Sequence, residues 1–117
     1  MRVLVCGGRD FDDHMLLVKT LLEYQTEKPI TCIIHGNARG ADTLADRFAD
    51  LTGIPKEVYP ADWDKYNKAA GPIRNAQMIT EGKPDLVIAF PGGKGTANMI
   101  KQAKDAGIPV KEIKHEH

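Results

Sequence analysis

The fold is decided by Asp85-Leu-Val-Ile-Ala-Phe90 and by Pro91-Gly-Gly-Lys-Gly-Thr96, which follows it directly. A nearly unbroken apolar run of this length is typical of a strand that is buried on both faces of a sheet. The glycines and the threonine hydroxyl after the run predict a tight turn into a helix. A strand that turns into a helix at its carboxyl end is half of a βαβ unit, so the pattern indicates a parallel sheet.

The rest of the chain alternates in the same way. Further β-rich runs lie at residues 2–6, 30–35, 55–59 and 109–113, and helical patterns separate them. Parallel neighbours need a long crossover, which is normally a right-handed helix. The order predicts an α/β protein with a small, Rossmann-like, doubly wound parallel sheet of about five strands and helices on both faces. In such sheets ligands bind where the strand order reverses, here between the first strand and the strand that ends at Phe90.

Local patterns predict finer features of single elements. In the helix from about Gly40 to Thr52, we expect Leu51 in the core and Asp42 on the solvent side. The run at 55–59 begins with a proline and carries charges, so it belongs at the margin of the sheet. Residues 60–72 show no regular pattern, and Pro72 suits the first turn of a helix that ends near Gly82.

Charge and length limit the functions available to the chain. Its 117 residues include 16 Lys plus Arg and 16 Asp plus Glu, which gives a net charge of zero. This length predicts one hydrophobic core. Without an overall field, nothing attracts the protein to nucleic acid or to an anionic membrane, so a bound anion must be held locally. The apolar start is too short for a signal peptide or a membrane span, and Cys6 and Cys32 are expected to be buried thiols, which favours the cytoplasm.

Three of the predicted strands end in glycine, at Gly7-Gly8, Gly36 and Gly92-Gly93. The carboxyl ends of parallel strands share one edge of a sheet, so we expect these loops to meet there. Glycine lets backbone amides approach a ligand closely, and the following helix points its positive end at the same place. The third loop is expected to bind a phosphate, and the alternative is a tight turn without a ligand. Its binding residues would be Pro91, Gly92, Gly93, Gly95 and Thr96.

Side chains of the first loop have both a binding and a structural interpretation. Arg9 suits a phosphate or a carboxylate, or else it pairs with Asp10 or Asp12. Phe11 lies against a base, or else it covers the top of the core.

The second loop leaves similar alternatives open. Gly36 and Gly40 bracket a turn into a helix. Asp42, in the first turn of that helix, either contacts a ligand or interacts with the helix dipole. His35 is expected to be a hydrogen-bonded residue at a strand end rather than a catalyst.

Residues 60–75 form a long connection for a small domain, and connections of this length are usually functional or mobile. They include Trp63, Arg74 and Asn75. An aromatic ring with an arginine and an amide suits a purine and a phosphate. The alternative for Trp63 is a place in the core.

Together these motifs resemble the SLOG superfamily, in its YspA or cpYpsA-related branch. The resemblance extends over nearly the whole chain, and the combination of motifs is specific although each motif alone is not. Its parts are Gly7-Gly8-Arg9 with Phe11, His35-Gly36 with Gly40-Ala41-Asp42, Pro60-Ala-Asp-Trp63, Ala70-Gly-Pro-Ile-Arg-Asn75 with Met78, and Phe90-Pro-Gly-Gly-Lys-Gly-Thr96. The resemblance implies a single nucleotide-binding domain over residues 1–117, a nucleotide-derived ligand and a homodimer.

The third loop is also similar to that of the LOG phosphoribohydrolases, once named lysine decarboxylases. Their signature, Pro-Gly-Gly-x-Gly-Thr-x-x-Glu with an upstream arginine, is matched by residues 91–96 and by Arg74, but Met99 stands at the glutamate position. Cleavage of a glycosidic bond needs a carboxylate. The catalytic candidates are Arg74, which matches the upstream arginine, and Asp42, which could supply the carboxylate. Asp62 and Asp64 are alternative sources of a carboxylate.

These features favour a binding or sensor domain for a phosphorylated nucleotide derivative. One alternative is an N-glycosidase that acts on such a molecule. Another is a single-stranded DNA-binding domain like that of DNA-processing proteins, and the zero net charge counts against it. The sequence predicts no metal site of its own, and Mg²⁺ would enter only with the phosphates of a ligand.

Overall fold

The protein folds around a five-stranded parallel sheet, which a computed structural model describes over residues 1–114. The strand order is β3-β2-β1-β4-β5, so β1 lies at the centre. The strands are β1 (Arg2–Cys6), β2 (Cys32–His35), β3 (Lys56–Val58), β4 (Leu86–Ala89) and β5 (Val110–Glu112). The helices are α1 (His14–Glu27), α2 (Ala41–Thr52), α3 (Trp63–Tyr66), α4 (Ala70–Thr80) and α5 (Lys94–Asp105).

Both faces of the sheet are covered, as the apolar runs predict. Val3 and Val5 of β1 pack on one side with residues of α1 and α2. Leu4 and Cys6 pack on the other side with residues of α4 and α5. Because successive side chains of a strand point to opposite faces, a strand between two helical layers has to be apolar throughout. The core therefore has two parts, one on each side of β1 and β4.

The order of the strands reverses at β1. The chain runs outward from β1 to β2 and β3, and then crosses to β4 on the other side of β1. The predicted reversal point between β1 and β4 is confirmed. The helices that follow β1 and β4 lie on opposite faces, so the carboxyl ends of these two strands open into a crevice.

Several local expectations are corrected by the structure. Helix α4 begins at Ala70 rather than at Pro72. Pro72 lies in the first turn of the helix, where a missing N–H costs nothing because the first backbone amides of a helix have no partner within the helix. The connection before it is partly ordered as α3 and a 3-10 turn. Leu51 is 81% exposed, whereas Asp42 is buried. The side chain of Asp42 turns back into the preceding loop, a contact that helical periodicity does not describe.

Other expectations are confirmed. The strand β3 lies at the margin of the sheet, and α2 ends at Gly53 in the left-handed conformation. Cys6 and Cys32 are buried free thiols. Within residues 1–114, none of the helices combines the length and the apolar character that a membrane span requires.

Candidate functional site

A cleft of about 1200 Å³ lies at the carboxyl ends of β1, β2 and β4. The three glycine loops and the connection between β3 and α4 line it. Of the residues that the sequence indicated as ligand-binding, all except Gly40 are at its wall. The ones that line it are Gly7, Gly8, Arg9, Phe11, Gly36, Asp42, Trp63, Arg74, Asn75, Pro91, Gly92, Gly93, Gly95 and Thr96.

Gly8 joins the first loop to its neighbours through the backbone. Its amide donates to Pro91 O at 2.8 Å, and its carbonyl accepts from the amide of Ala41 at 3.4 Å. A Cβ on Gly8 would come within 3.0 Å of both Gly92 Cα and Pro91 O. Gly40, behind the wall, has a φ of +80° and would place a Cβ against Gly8 O. Glycine at both positions therefore permits the loops to lie in direct backbone contact.

The second loop is held by two acidic residues of α2 and a histidine. Asp42 Oδ2 accepts hydrogen bonds from the amides of Gly36 at 3.0 Å and Ala38 at 3.2 Å. Burial raises the pKa of Asp42, while these hydrogen bonds and the positive charge of Arg74 oppose the rise. The amide of Asn37 donates to His35 Nδ1 at 3.0 Å, so His35 Nε2 carries the proton in its bond to Asp46 at 2.7 Å. The expectation of a hydrogen-bonded histidine at the end of a strand is confirmed.

These bonds correct one part of the predicted binding geometry. We expected all three glycine loops to present unpaired amides to an anion. The amides of Gly8 and Gly36 instead bind acceptors of the protein itself, so these loops shape the wall without offering those donors.

The third loop keeps its amides available. Among the described residues, none of the backbone N–H groups from Gly92 to Thr96 donates a hydrogen bond to a protein acceptor, and the first paired amide of α5 is that of Ala97. A Cβ added to Gly93 or to Gly95 would have no atom within 4 Å, so both residues border open space. Unpaired amides at the positive end of a helix are a favourable place for an anion.

Arg74 lines the same cleft and reaches from α4 to the loop after β2. Its Nη1 donates to Gly36 O, and its Nε donates to Asn75 Oδ1 at 3.0 Å. Within residues 1–114, no carboxylate oxygen lies within 4.0 Å of its guanidinium. Burial lowers its pKa, and the charge of Asp42 partly opposes this. A half-buried cation without an ion pair is suited to a bound anion.

Asn75 is buried, and both groups of its amide are used inside the protein. Its Oδ1 accepts from Arg74, and its Nδ2 donates to Gly95 O at 3.2 Å and to Asn98 Oδ1 at 3.1 Å. Asn75 therefore fixes the direction of Arg74 relative to the third loop.

Aromatic side chains occupy two different places in the cleft. Trp63 is 46% exposed at the mouth, with the guanidinium of Arg9 at 5.6 Å from its ring centroid, so the core alternative for Trp63 is wrong. Arg9 forms no ion pair with Asp10 or Asp12 in the described part of the chain. Phe11 is 5% exposed and packs on Phe90 with 5.1 Å between ring centroids, as the core-covering alternative predicts.

Cationic side chains outnumber carboxylates around the cleft, although the whole chain has no net charge. The cations are Arg9, Arg39, Lys68, Arg74 and Lys94, and the carboxylates are Asp10 and Asp42. Sequence reasoning did not select Arg39, Lys68, Lys94 or the cleft residue Asn98. Arg39 and Lys94 lie within the glycine loops, so the sequence could have indicated them. Lys68 reaches the cleft because of where the turn before α4 lies, and Asn98 because of the side of α5 that faces the cleft.

A sequence comparison identifies the family. Residues 1–66 match the family described as YspA, cpYpsA-related SLOG. The chain belongs to this SLOG family. The Gene 61 protein of Mycobacterium phage D29 is 37% identical to it over 117 aligned residues, which cover 93% of each chain. The uncharacterized ABC transporter substrate-binding lipoprotein YvrC of Bacillus subtilis (strain 168) is 35% identical over 68 residues, which cover 57% of this chain and 21% of that protein.

Carboxylates are scarce in the cleft of this SLOG protein. Met99, at the position of the LOG glutamate, is buried in the core between α5 and the sheet. Asp62 caps α3 by accepting from Lys65 N at 3.1 Å, and neither Asp62 nor Asp64 is at the cleft wall. No cluster of three or more potential metal-ligating side chains is found in residues 1–114.

Proposed function

We propose that the chain binds a phosphorylated nucleotide-type small molecule in this cleft and acts as a binding or sensing domain over residues 1–117. One observation carries the proposal: successive unpaired amides from Gly92 to Thr96 line the same cleft as the half-buried cation of Arg74, which has no ion-pair partner in the described residues. A phosphate would accept hydrogen bonds from the amides and would supply the negative charge that Arg74 lacks as a partner. The other cleft cations would add local attraction in a protein without a net field.

Another part of the cleft wall, formed by Trp63 and Arg9, suits a planar ring. Trp63 is exposed at the mouth, and Arg9 already lies over its indole. A base could stack on the indole after Arg9 moves aside, or stack on the guanidinium itself. The volume of the cleft, about 1200 Å³, accommodates a nucleotide together with its hydration.

Binding is favoured over glycosidic cleavage because of the carboxylates. A glycosidase needs a carboxylate free to steady the reacting sugar or to activate water. Of the predicted sources, only Asp42 lines the cleft, and its Oδ2 already accepts two loop amides. Binding of single-stranded DNA has less support, since the chain has no net positive charge to attract a nucleic-acid backbone. The homodimer, the cytoplasmic location and a ligand-borne Mg²⁺ stay predictions.

The experiment starts with the purified protein. Any small molecule that it carries is released by denaturation and identified by mass, and then AMP, ADP, ADP-ribose, ribose 5-phosphate and adenosine are titrated by calorimetry and by thermal shift. We expect the phosphorylated compounds to bind and raise the melting temperature more than adenosine does, and AMP to bind more tightly than ribose 5-phosphate. Equal binding of AMP and adenosine would contradict the phosphate site. Release of free base during incubation would favour the glycosidase instead.

A further inference from the structure

Three amide side chains link α4 to α5 beside the third glycine loop. Asn75 Nδ2 donates to Asn98 Oδ1 at 3.1 Å. Gln102 Nε2 donates to the same Asn98 oxygen at 2.7 Å and to Pro72 O at 3.1 Å. Asn98 is thus held from both sides through one oxygen.

The orientation of the Asn98 amide follows from chemistry at both ends of this chain of hydrogen bonds. Arg74 Nε can only donate, so the Asn75 atom that faces it must be the oxygen, and the Asn75 NH₂ then faces Asn98. Pro72 O can only accept, so the Gln102 atom that faces it must be the NH₂. Both neighbours therefore offer donors to Asn98, and Asn98 must turn its oxygen toward them.

The NH₂ group of Asn98 is consequently turned away from this network. In the part of the chain that the structure describes, Asn98 Nδ2 donates no hydrogen bond to a protein acceptor. Asn98 is half-buried and lines the cleft, one turn along α5 from the loop. Helical side chains lean toward the amino end of their helix, which for Asn98 is the end that carries the unpaired amides.

We propose that Asn98 is a ligand-contacting residue that donates through Nδ2 to an oxygen of the phosphate group bound at the start of α5. This inference rests on the proposed function of the cleft. It adds a side-chain donor, locked in direction by Asn75 and Gln102, to the backbone amides and to Arg74. Because the donor is held before any ligand arrives, little rotational freedom is lost on binding.

The test is Asn98→Asp, which changes the outward group and preserves the inward one. A carboxylate oxygen still accepts from Asn75 and Gln102, while the other oxygen now faces the phosphate and repels it. The matched control is Ala97→Asp, which adds the same charge on the same turn of α5 at an exposed residue outside the cleft wall. Asn98→Ser is the neutral companion, because it removes the outward donors without adding charge.

The probes are AMP and inorganic phosphate, titrated by calorimetry into all four proteins, with melting temperatures measured in parallel. We expect Asn98→Asp to bind AMP about tenfold to a hundredfold more weakly than Ala97→Asp does, in the range of a hydrogen bond to a charged group. Asn98→Ser should lower the affinity for both probes several-fold. If Asn98→Asp does not fold, the affinities of Asn98→Ser test the inference. Affinities of the Asn98 variants within twofold of their controls would overturn the inference while leaving the proposed function intact. Failure of the parent protein to bind either probe would instead refute the proposed function.

Discussion

Replacing Gly36 by alanine is expected to disable the cleft by moving Arg74. A Cβ on Gly36 would lie 2.7 Å from Arg74 Cζ and 3.0 Å from Arg74 Cδ, and it would overlap Nη1. The obstructing atoms belong to the end of a flexible side chain, and the backbone of Gly36 lies outside the left-handed region. The chain should therefore still fold, with the guanidinium displaced from the carbonyl of Gly36.

The magnitude follows from the interactions that Arg74 would lose. Displacement breaks its hydrogen bond to Gly36 O, which we expect to cost about 1 kcal/mol of the free energy of unfolding. A bound phosphate would lose a charge-assisted partner that contributes about 1.5–3 kcal/mol, which corresponds to a roughly tenfold to hundredfold weaker affinity. The loss of binding free energy should thus be somewhat larger than the loss of stability.

The assay is a double-mutant cycle on AMP affinity with Gly36→Ala, Arg74→Ala and the pair. If the alanine acts through Arg74, the double variant binds no more weakly than Arg74→Ala alone. Gly71→Ala serves as the control, because it also lines the cleft and its Cβ would meet only Trp63, at an ordinary 3.5 Å. Additive losses in the double variant, or an equal loss in the control, would refute the reasoning.

Three further predictions concern other contacts of the fold and the cleft. Arg74→Ala should weaken the binding of AMP more than the binding of adenosine, because only AMP has a phosphate for the guanidinium to contact. Calorimetry measures both affinities, and equal losses would contradict a phosphate-binding role for Arg74. Gly93→Asp should abolish AMP binding while keeping or raising the melting temperature, since an aspartate at the N-cap of α5 can itself accept the free amides, whereas Ala97→Asp retains binding. The pKa of Asp46 is lowered, mainly by its hydrogen bond from Lys56 and then by its bond to His35, so its contribution to stability is present above about pH 3.9 and disappears as the pH falls through the lower folded-state pKa. Asp46→Asn should therefore lower the melting temperature at pH 7 and approach that of the parent as the pH falls through the lowered folded-state pKa of Asp46, and a difference that does not depend on pH would contradict this.

The sequence was informative where one local pattern determines the structure. Residues 85–96 carry their strand, turn and helix in consecutive residues, so the buried strand and the turn could be predicted without knowledge of the rest. The position of β3 at the edge of the sheet could also be predicted, because a proline and charged residues are typical of edge strands. Convergence of the glycine loops followed from parallel topology alone.

The missed features depend on contacts between distant segments. Asp42 has the periodicity of a solvent-facing residue, yet it is buried because the preceding loop folds over it and supplies two amide donors. The short helix α3 has only exposed side chains and thus lacks an apolar stripe to reveal it. Asn98 and Gln102 become meaningful only once α4 packs beside α5, because their partners lie on the other helix.

The bond from Arg74 to Gly36 O has a consequence for how the protein would respond to its ligand. A guanidinium that is anchored to a backbone carbonyl keeps a fixed direction, so an incoming anion would find the positive charge already in place. The same bond joins α4 to the carboxyl end of β2, so under the proposed function a shift of α4 would change how strongly the cleft holds an anion.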